Sequence, residues 1–287
     1  MRALGVAVLL AGTLIAVIAV RAARSATTEF HPPRPSSITW LANVRDPSNR
    51  DDVEFGSDAG NAIRGWYVPS KNGAGIALVH GTSSDRRHFI PEIAALAQQG
   101  FGVLAYDQPG AGLSDGRVTW GRSERPALSA AVKWLRSAPG VHHVGVVGFS
   151  QGAYVAVLVA AADPGIEALV LEGAVGDYEN VTRHEYGRWG ILSSYPALMA
   201  RRRAGYDPSE SRAIDVMGQY TGPVLFVNGS ADRDVPQSEA DGLFARARGP
   251  KEALTVNGAG HGTYAEVSHE YLTRLEQFFE RTLVQQH

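Results

Sequence analysis

VGVVGFSQGAYVAVLVAAA, Val144 to Ala162, is an apolar strand, a glycine-flanked serine and an apolar helix in direct succession. A strand with no polar alternation belongs in a parallel sheet covered on both faces. Gly148-Phe149-Ser150-Gln151-Gly152 then forms G-x-S-x-G between strand and helix. A turn that sharp lifts the serine hydroxyl above the sheet edge, at the positive end of the helix dipole. The same pattern recurs as Gly112-Leu113-Ser114-Asp115-Gly116, but Ser114 sits deep in a loop with no strand leading into it. Context therefore selects Ser150 as the candidate nucleophile.

Outward from this stretch, strands and helices alternate. Val53–Phe55 and Ala62–Val68 read as short strands around a turn at Gly56-Ser57-Asp58-Ala59-Gly60. Strand Ile76–His80, helix Phe89–Gln99, strand Gly102–Tyr106 and helix Pro126–Ala138 follow. After strand Val144–Val147 and helix Gln151–Ala162 come strands Ile166–Leu171 and Val224–Val227. Helix Ser238–Ala247, strand Ala253–Val256 and a helix near Tyr264–Leu283 complete the series. This alternation predicts an α/β fold, a mostly parallel twisted sheet of about eight strands with helices on both faces. The rhythm breaks between about Gly176 and Asp207, so a small helical cap is expected at about 177–207. Its Tyr178, Tyr186, Trp189 and Tyr195 favour an apolar pocket or, more simply, the core of the cap. Arg201-Arg202-Arg203 reads as a solvated helix face, or as a contact for anionic headgroups.

Composition limits the function classes. Of 287 residues, 44% are hydrophobic and 20% charged, as in a folded domain. Lys+Arg 27 against Asp+Glu 29 gives no electrostatic reason to expect a nucleic-acid partner. There is no cysteine, which excludes disulfides, thiolate metal sites and a cysteine nucleophile. No H-E-x-x-H or clustered ligand spacing offers a metal site, and no cofactor is expected.

The N-terminus differs in character. Ala3–Val20 is an unbroken apolar run of 18 residues between Arg2 and Arg21. As a helix it spans roughly 27 Å, close to the hydrocarbon thickness of a bilayer. Residues 1–22 are read as a transmembrane anchor with the following domain outside the cytoplasm. The alternative is a signal segment cleaved after Ala22 or Ala26, with secretion. Residues 23–50, with the proline-rich His31–Ser37, read as an extended linker, and 51–287 as the folded domain.

A serine hydroxyl needs a base to take its proton, and the base needs an acid to hold its tautomer. Of nine histidines, His80 is most simply structural, bonded to nearby backbone. His142 and His143 open a strand, His88 and His184 fall in loop or cap, His31 in the linker and His287 at the terminus. His269 is expected on the last helix. His261 instead follows the last strand in a glycine-lined loop at the carboxyl edge of the sheet, where ligands bind in such folds. For the acid, Asp232 and Asp234 both lie beyond strand Val224–Val227, and Asp177 is a third candidate.

These motifs together resemble the α/β-hydrolase superfamily in its serine-hydrolase branch, over about residues 50–285. Chain order Ser…Asp…His is the family's. Gly229-Ser230-Ala231-Asp232-Arg233-Asp234-Val235-Pro236 is similar to the family's G-x-x-D-x-x-V-P, which points to Asp232. Gly258-Ala259-Gly260-His261 is similar to its G-x-G-H, which points to His261. His80-Gly81-Thr82 resembles its His-Gly turn, implying an oxyanion hole from the backbone N–H of Thr82 and of Gln151. Tyr106–Ser114 is similar to its D-x-[RP]-G-x-G-x-S loop, which explains the second G-x-S-x-G as structural. Gln108-Pro109 departs from that loop. Serine in the elbow, rather than a carboxylate, implies acyl transfer: an ester first, otherwise a thioester, amide or peptide. The implied partner is a small-molecule or lipid-like acyl substrate. The rival reading is a non-catalytic ligand-binding protein on the same fold.

Overall fold

The computed structural model describes residues 2–41, 44, 46–47, 49–207 and 212–285; His287 and the Arg2 side chain lie outside the described residues. Eight strands form one sheet: β1 (Asp51–Gly56), β2 (Ala62–Val68), β3 (Ala74–Val79), β4 (Gly102–Tyr106), β5 (His143–Phe149), β6 (Ala168–Glu172), β7 (Val224–Gly229) and β8 (Lys251–Val256). Their order is β1-β2-β4-β3-β5-β6-β7-β8, with β1, β2 and β4 paired antiparallel and every other neighbour parallel. The long helices are α1 (Arg2–Ser25), α2 (Ile90–Gln98), α3 (Glu124–Ser137), α4 (Gln151–Ala160), α5 (Tyr178–Glu185) and α6 (Ile191–Ala204). A short α7 (Ala213–Val216) precedes α8 (Gln237–Arg246), α9 (Tyr264–Val267) and α10 (His269–Phe279).

The central strands are buried on both faces, so alternate side chains feed two separate cores. In β3, Ile76 and Leu78 pack with Ile93 of α2 and Phe278 of α10, while Ala77 and Val79 pack with Leu128 of α3 and Val155 of α4. The parallel register aligns the carboxyl ends. Val79 stands beside Gly148, Phe149 beside Glu172, and Gly229 beside Val256. The loops that carry Thr82, Ser150, Asp232 and His261 thus leave one edge of the sheet.

The largest differences from the sequence reading lie outside the sheet. Arg201 is buried, not part of a solvated face; it pairs with Glu29 at 2.9 Å and Glu185 at 2.7 Å. Arg202 pairs with Glu179. The linker, though extended, is docked on the domain: Arg34 reaches the carbonyls of Gly112 and Ser114, and Trp40 meets Trp66 at 5.4 Å. Phe30 enters the core. One helix near the N-terminus is long and apolar enough to cross a membrane, with mean hydropathy 2.4. Its carboxyl end is not free, since Ala22 and Ala26 pack against Ala197 of α6.

Candidate active site

Ser150 sits between β5 and α4 with φ 54° and ψ −112°, a conformation rare for a residue with a side chain. The turn closes because its flanking residues are glycines. A Cβ on Gly152 would lie 1.9 Å from the Val79 carbonyl oxygen, and one on Gly148 would lie 2.5 Å from that of Gly152. The Ser150 amide donates to the Glu172 carbonyl at 2.8 Å, which ties the elbow to β6.

His261 and Ser150 line the same pocket of about 560 Å³. His261 Nδ1 meets Asp232 Oδ2 at 2.7 Å. The other carboxylate oxygen of Asp232 accepts the amides of Asp234 at 2.9 Å and Val235 at 3.1 Å. Burial pushes the Asp232 carboxyl up, but the bond and charge of His261 and these two amides outweigh it, leaving Asp232 below its ordinary value. Asp234 contributes an amide rather than a carboxylate to this arrangement. Asp177 is engaged elsewhere, capping α5 through the Glu179 amide and pairing with Arg212 at 2.8 Å. The His261 ring also packs on Phe149 at 4.7 Å, and Phe149 stacks on His88 at 4.3 Å. Burial, then the fields of His80 and His261, push His88 down to about 3, so it remains a neutral packing group.

The remaining histidines fall away from this chemistry. His80 is buried; its Nε2 accepts the Gln108 amide at 2.9 Å and its Nδ1 faces the Gly81 carbonyl at 2.7 Å. His143 pairs with Glu167, and His269 opens α10 in solvent. His184 lines the pocket but contacts only the Arg233 carbonyl among the described hydrogen bonds. Ser114 is fully buried, its hydroxyl accepting the Arg64 amide at 2.8 Å.

Two backbone amides close to Ser150 in the chain or the pocket, those of Gln151 and Thr82, donate to no protein group among the described hydrogen bonds. Gln151 is the first residue of α4, where an N–H has no partner within the helix. Thr82 lines the pocket, and among the described residues its amide donates to no other protein group. Gln108, where the loop departs from the family pattern, links the two sides. Its side-chain amide donates to the His80 carbonyl and, at 3.1 Å, to Gln151 Oε1.

The sequence reading missed a wall of this pocket. Glu29, from the turn Thr28–Phe30 after α1, lines it beside Thr82, bonded to the Tyr178 hydroxyl and to Arg201. Trp120 stacks on Tyr178 at 3.5 Å. Among the described residues the non-glycines with positive φ are Ser83, Trp120 and Ser150, and all three line this pocket. Such strain persists only where the surrounding structure over-determines it.

Residues 76–201 match the alpha/beta hydrolase fold family. An uncharacterized protein of Mycobacterium tuberculosis is 32% identical over 235 residues, which cover 80% of this chain and 76% of that one. Human alpha/beta hydrolase domain-containing protein 17B is 26% identical over 254 residues, 85% of this chain and 80% of its own. The solved structure of the Pyrococcus furiosus esterase Pf2001 superposes with a TM-score of 0.74 at 23% identity, covering 88% of this chain and 98% of that chain. Est1E of Butyrivibrio proteoclasticus, with ferulic acid bound, gives 0.66 at 20% identity over 80% and 99%. The chain belongs to the α/β-hydrolase superfamily.

Proposed function

We propose that this chain is a membrane-anchored serine hydrolase that cleaves carboxylic esters. The observation that carries the reading is a strained Ser150 opening on the same pocket as His261, which is itself bonded to Asp232. In this reading His261 takes the Ser150 proton as Oγ attacks the ester carbonyl, while Asp232 holds the imidazole in the tautomer that leaves Nε2 free to accept. The amides of Thr82 and Gln151 receive the oxyanion. The carbonyl–oxygen bond breaks, His261 returns the proton to the leaving alcohol, and water then releases the acid from Ser150. The likeness to the Pf2001 and Est1E esterases supports an ester over an amide. Retention of α1 as an anchor is supported by the burial of Ala22 and Ala26, the residues after which a cleavage would fall. The domain is assigned to the far side of the membrane from the cytoplasm. A fluorophosphonate probe tests the chemistry: the wild-type chain labels and Ser150→Ala does not, whereas equal labelling of the variant overturns the reading.

A further inference from the structure

The anchor helix presents one stripe to the cap. Leu14, Val17, Ile18, Arg21, Ala22 and Ser25 recur at helical spacing and line a groove of about 580 Å³. Its opposite wall is Tyr186, Arg188, Trp189 and Ser193, at the junction of α5 and α6. Ser25, Glu185 and Tyr186 line both the groove and the pocket that holds Ser150 and His261, so the two spaces adjoin at a shared wall, where the Tyr186 hydroxyl donates to Ser25 Oγ at 3.4 Å.

The two spaces differ in balance. Around Ser150 the polar Glu29, Thr82, Arg201 and Asp234 outweigh the apolar Val175 and Val181. That suits the ester and polar end of a substrate better than a long hydrocarbon. Along the groove the walls turn apolar with distance from the pocket, from Ser25 and Arg21 to Ile18, Val17 and Leu14. From Ser25 to Leu14 the helix rises roughly 16 Å, about half the ~30 Å hydrocarbon core. An amphiphile with its ester at Ser150 and its chain toward Leu14 matches both halves.

What surrounds the groove is set by the surface beside it. Among the described residues, the large apolar side chains left exposed lie on α1 or at Trp189, Ile191, Leu192 and Tyr195 of the cap, with only Leu41 and Val267 elsewhere. Ile191 is 74% exposed and Trp189 54%. Such a patch on a folded domain marks an interaction surface. Here it adjoins a helix of bilayer length, with Trp189 lining the same groove as that helix. Trp and Tyr beside such a helix are the residues enriched at headgroup level.

We propose that the groove between α1 and the cap is a binding site for the fatty acyl chain of a membrane-resident ester, entered sideways from the bilayer on which the cap rests. This rests on the serine-hydrolase and anchor readings above. A substrate of this kind need not leave the membrane to reach Ser150; only its ester and headgroup rise into the polar pocket, and the chain exchanges one apolar surrounding for another. That spares the cost of exposing each methylene to water.

A long-chain alkyl fluorophosphonate carrying a diazirine near the chain end separates the layers of the proposal. The full chain in phosphatidylcholine nanodiscs is treated with it, irradiated, digested and mapped by mass spectrometry. The expected result is phosphonylation of Ser150 with the photo-adduct on Leu14, Val17, Ile18 or Trp189. Phosphonylated Ser150 with adducts confined to the inner pocket, at Trp120, Val175 or Val181, overturns the groove and leaves the esterase reading standing. So does phosphonylation with no adduct on the chain. Absence of phosphonylation overturns the nucleophile, and the inference with it. A parallel irradiation with diazirine-tipped phosphatidylcholine reads the anchor alone: adducts on Leu9 and Leu10, exposed beyond the groove, are expected, and their absence removes the bilayer from the proposal.

Discussion

At the scale of single residues, the proposed mechanism depends on which tautomer His261 adopts. An ionised Asp232 can only accept a hydrogen bond from Nδ1–H, and in that mechanism this leaves Nε2 free to take the serine proton. Asp232→Asn places an amide there whose NH2 can donate to Nδ1, favouring the other tautomer. With the serine mechanism, kcat on a p-nitrophenyl ester is expected to fall on the order of 10^4-fold with folding intact by circular dichroism. A second consequence concerns Gln108, whose backbone and side chain hold His80 and Gln151 together. In the proposed mechanism those two segments carry the Thr82 and Gln151 amides that receive the oxyanion, which makes Gln108 a positioning residue there. Gln108→Leu is expected to lower kcat about ten- to a hundredfold while KM changes little, because the amides matter most once charge develops on the oxyanion. Steady-state kinetics read that split; a purely structural role would lower the amount of active enzyme, visible by active-site titration, and leave kcat per titrated site unchanged. Gln108 was visible in the sequence only as a departure from the family loop, with no sign of its partner across the sheet edge.

At the scale of elements, what was legible followed from local pattern. Central strands read true because short apolar runs bounded by turn residues suit strands buried on both faces, and β3 to β7 appear within two residues of expectation. Edge strands read short. β8 starts at Lys251 and alternates half-buried with exposed, so its first polar residues hid it, and β1 likewise begins at Asp51. The expected single terminal helix is interrupted at Ser268, between α9 and α10, where the residue adopts an extended conformation. The same region holds a buried acid cluster that no local pattern announces: Glu92 of α2, Glu172 of β6 and Tyr271 of α10, whose hydroxyl bonds Glu172. Burial raises Glu92 to about 7 from 4.5, and burial with the neighbouring Glu92 raises Glu172 well above its ordinary value. The folded state therefore holds protons that the unfolded chain releases above about pH 4.5. The sign follows: each contribution is fully present below that pH and is lost as pH climbs through the raised folded value, about 7 for Glu92. Glu92→Gln with Glu172→Gln, which needs no ionisation to stay buried, is expected to raise Tm at pH 8 by about 3–6 °C and to flatten Tm between pH 5 and 8. Differential scanning fluorimetry across that range checks it; a variant that keeps the wild-type slope removes these two carboxyls as its cause.

At the scale of the whole molecule, the N-terminal segment changes meaning between sequence and structure. By composition it is an apolar helix followed by a proline-rich tether, and a tether would let the domain tumble above the membrane. The contacts are those of a rigid mount instead. Ala22 and Ala26 pack on Ala197, Glu29 pairs with buried Arg201, and Phe30 enters the core. No periodicity reports such pairings, because each partner lies most of the chain away. A mounted helix fixes the orientation of everything attached to it, so the proposed anchor dictates which face of the domain meets the bilayer. That face is the cap at Ile191, while the carboxyl end of α3, which runs back from the active-site edge, points the other way. Because the chain has no cysteine, single labels can be placed at will. Ile191→Cys and Ser137→Cys, each carrying an environment-sensitive fluorophore on the full chain in nanodiscs, are expected to differ: blue-shifted emission quenched by spin-labelled lipid at 191, and emission quenched by aqueous iodide at 137. A freely tethered domain would give the same aqueous signature at both positions, since the apolar cap would then spend its time in water. Equal iodide quenching would therefore show that the contacts around Ala22 and Glu29 do not hold the cap on the membrane, and a flexible tether would take the place of the mount.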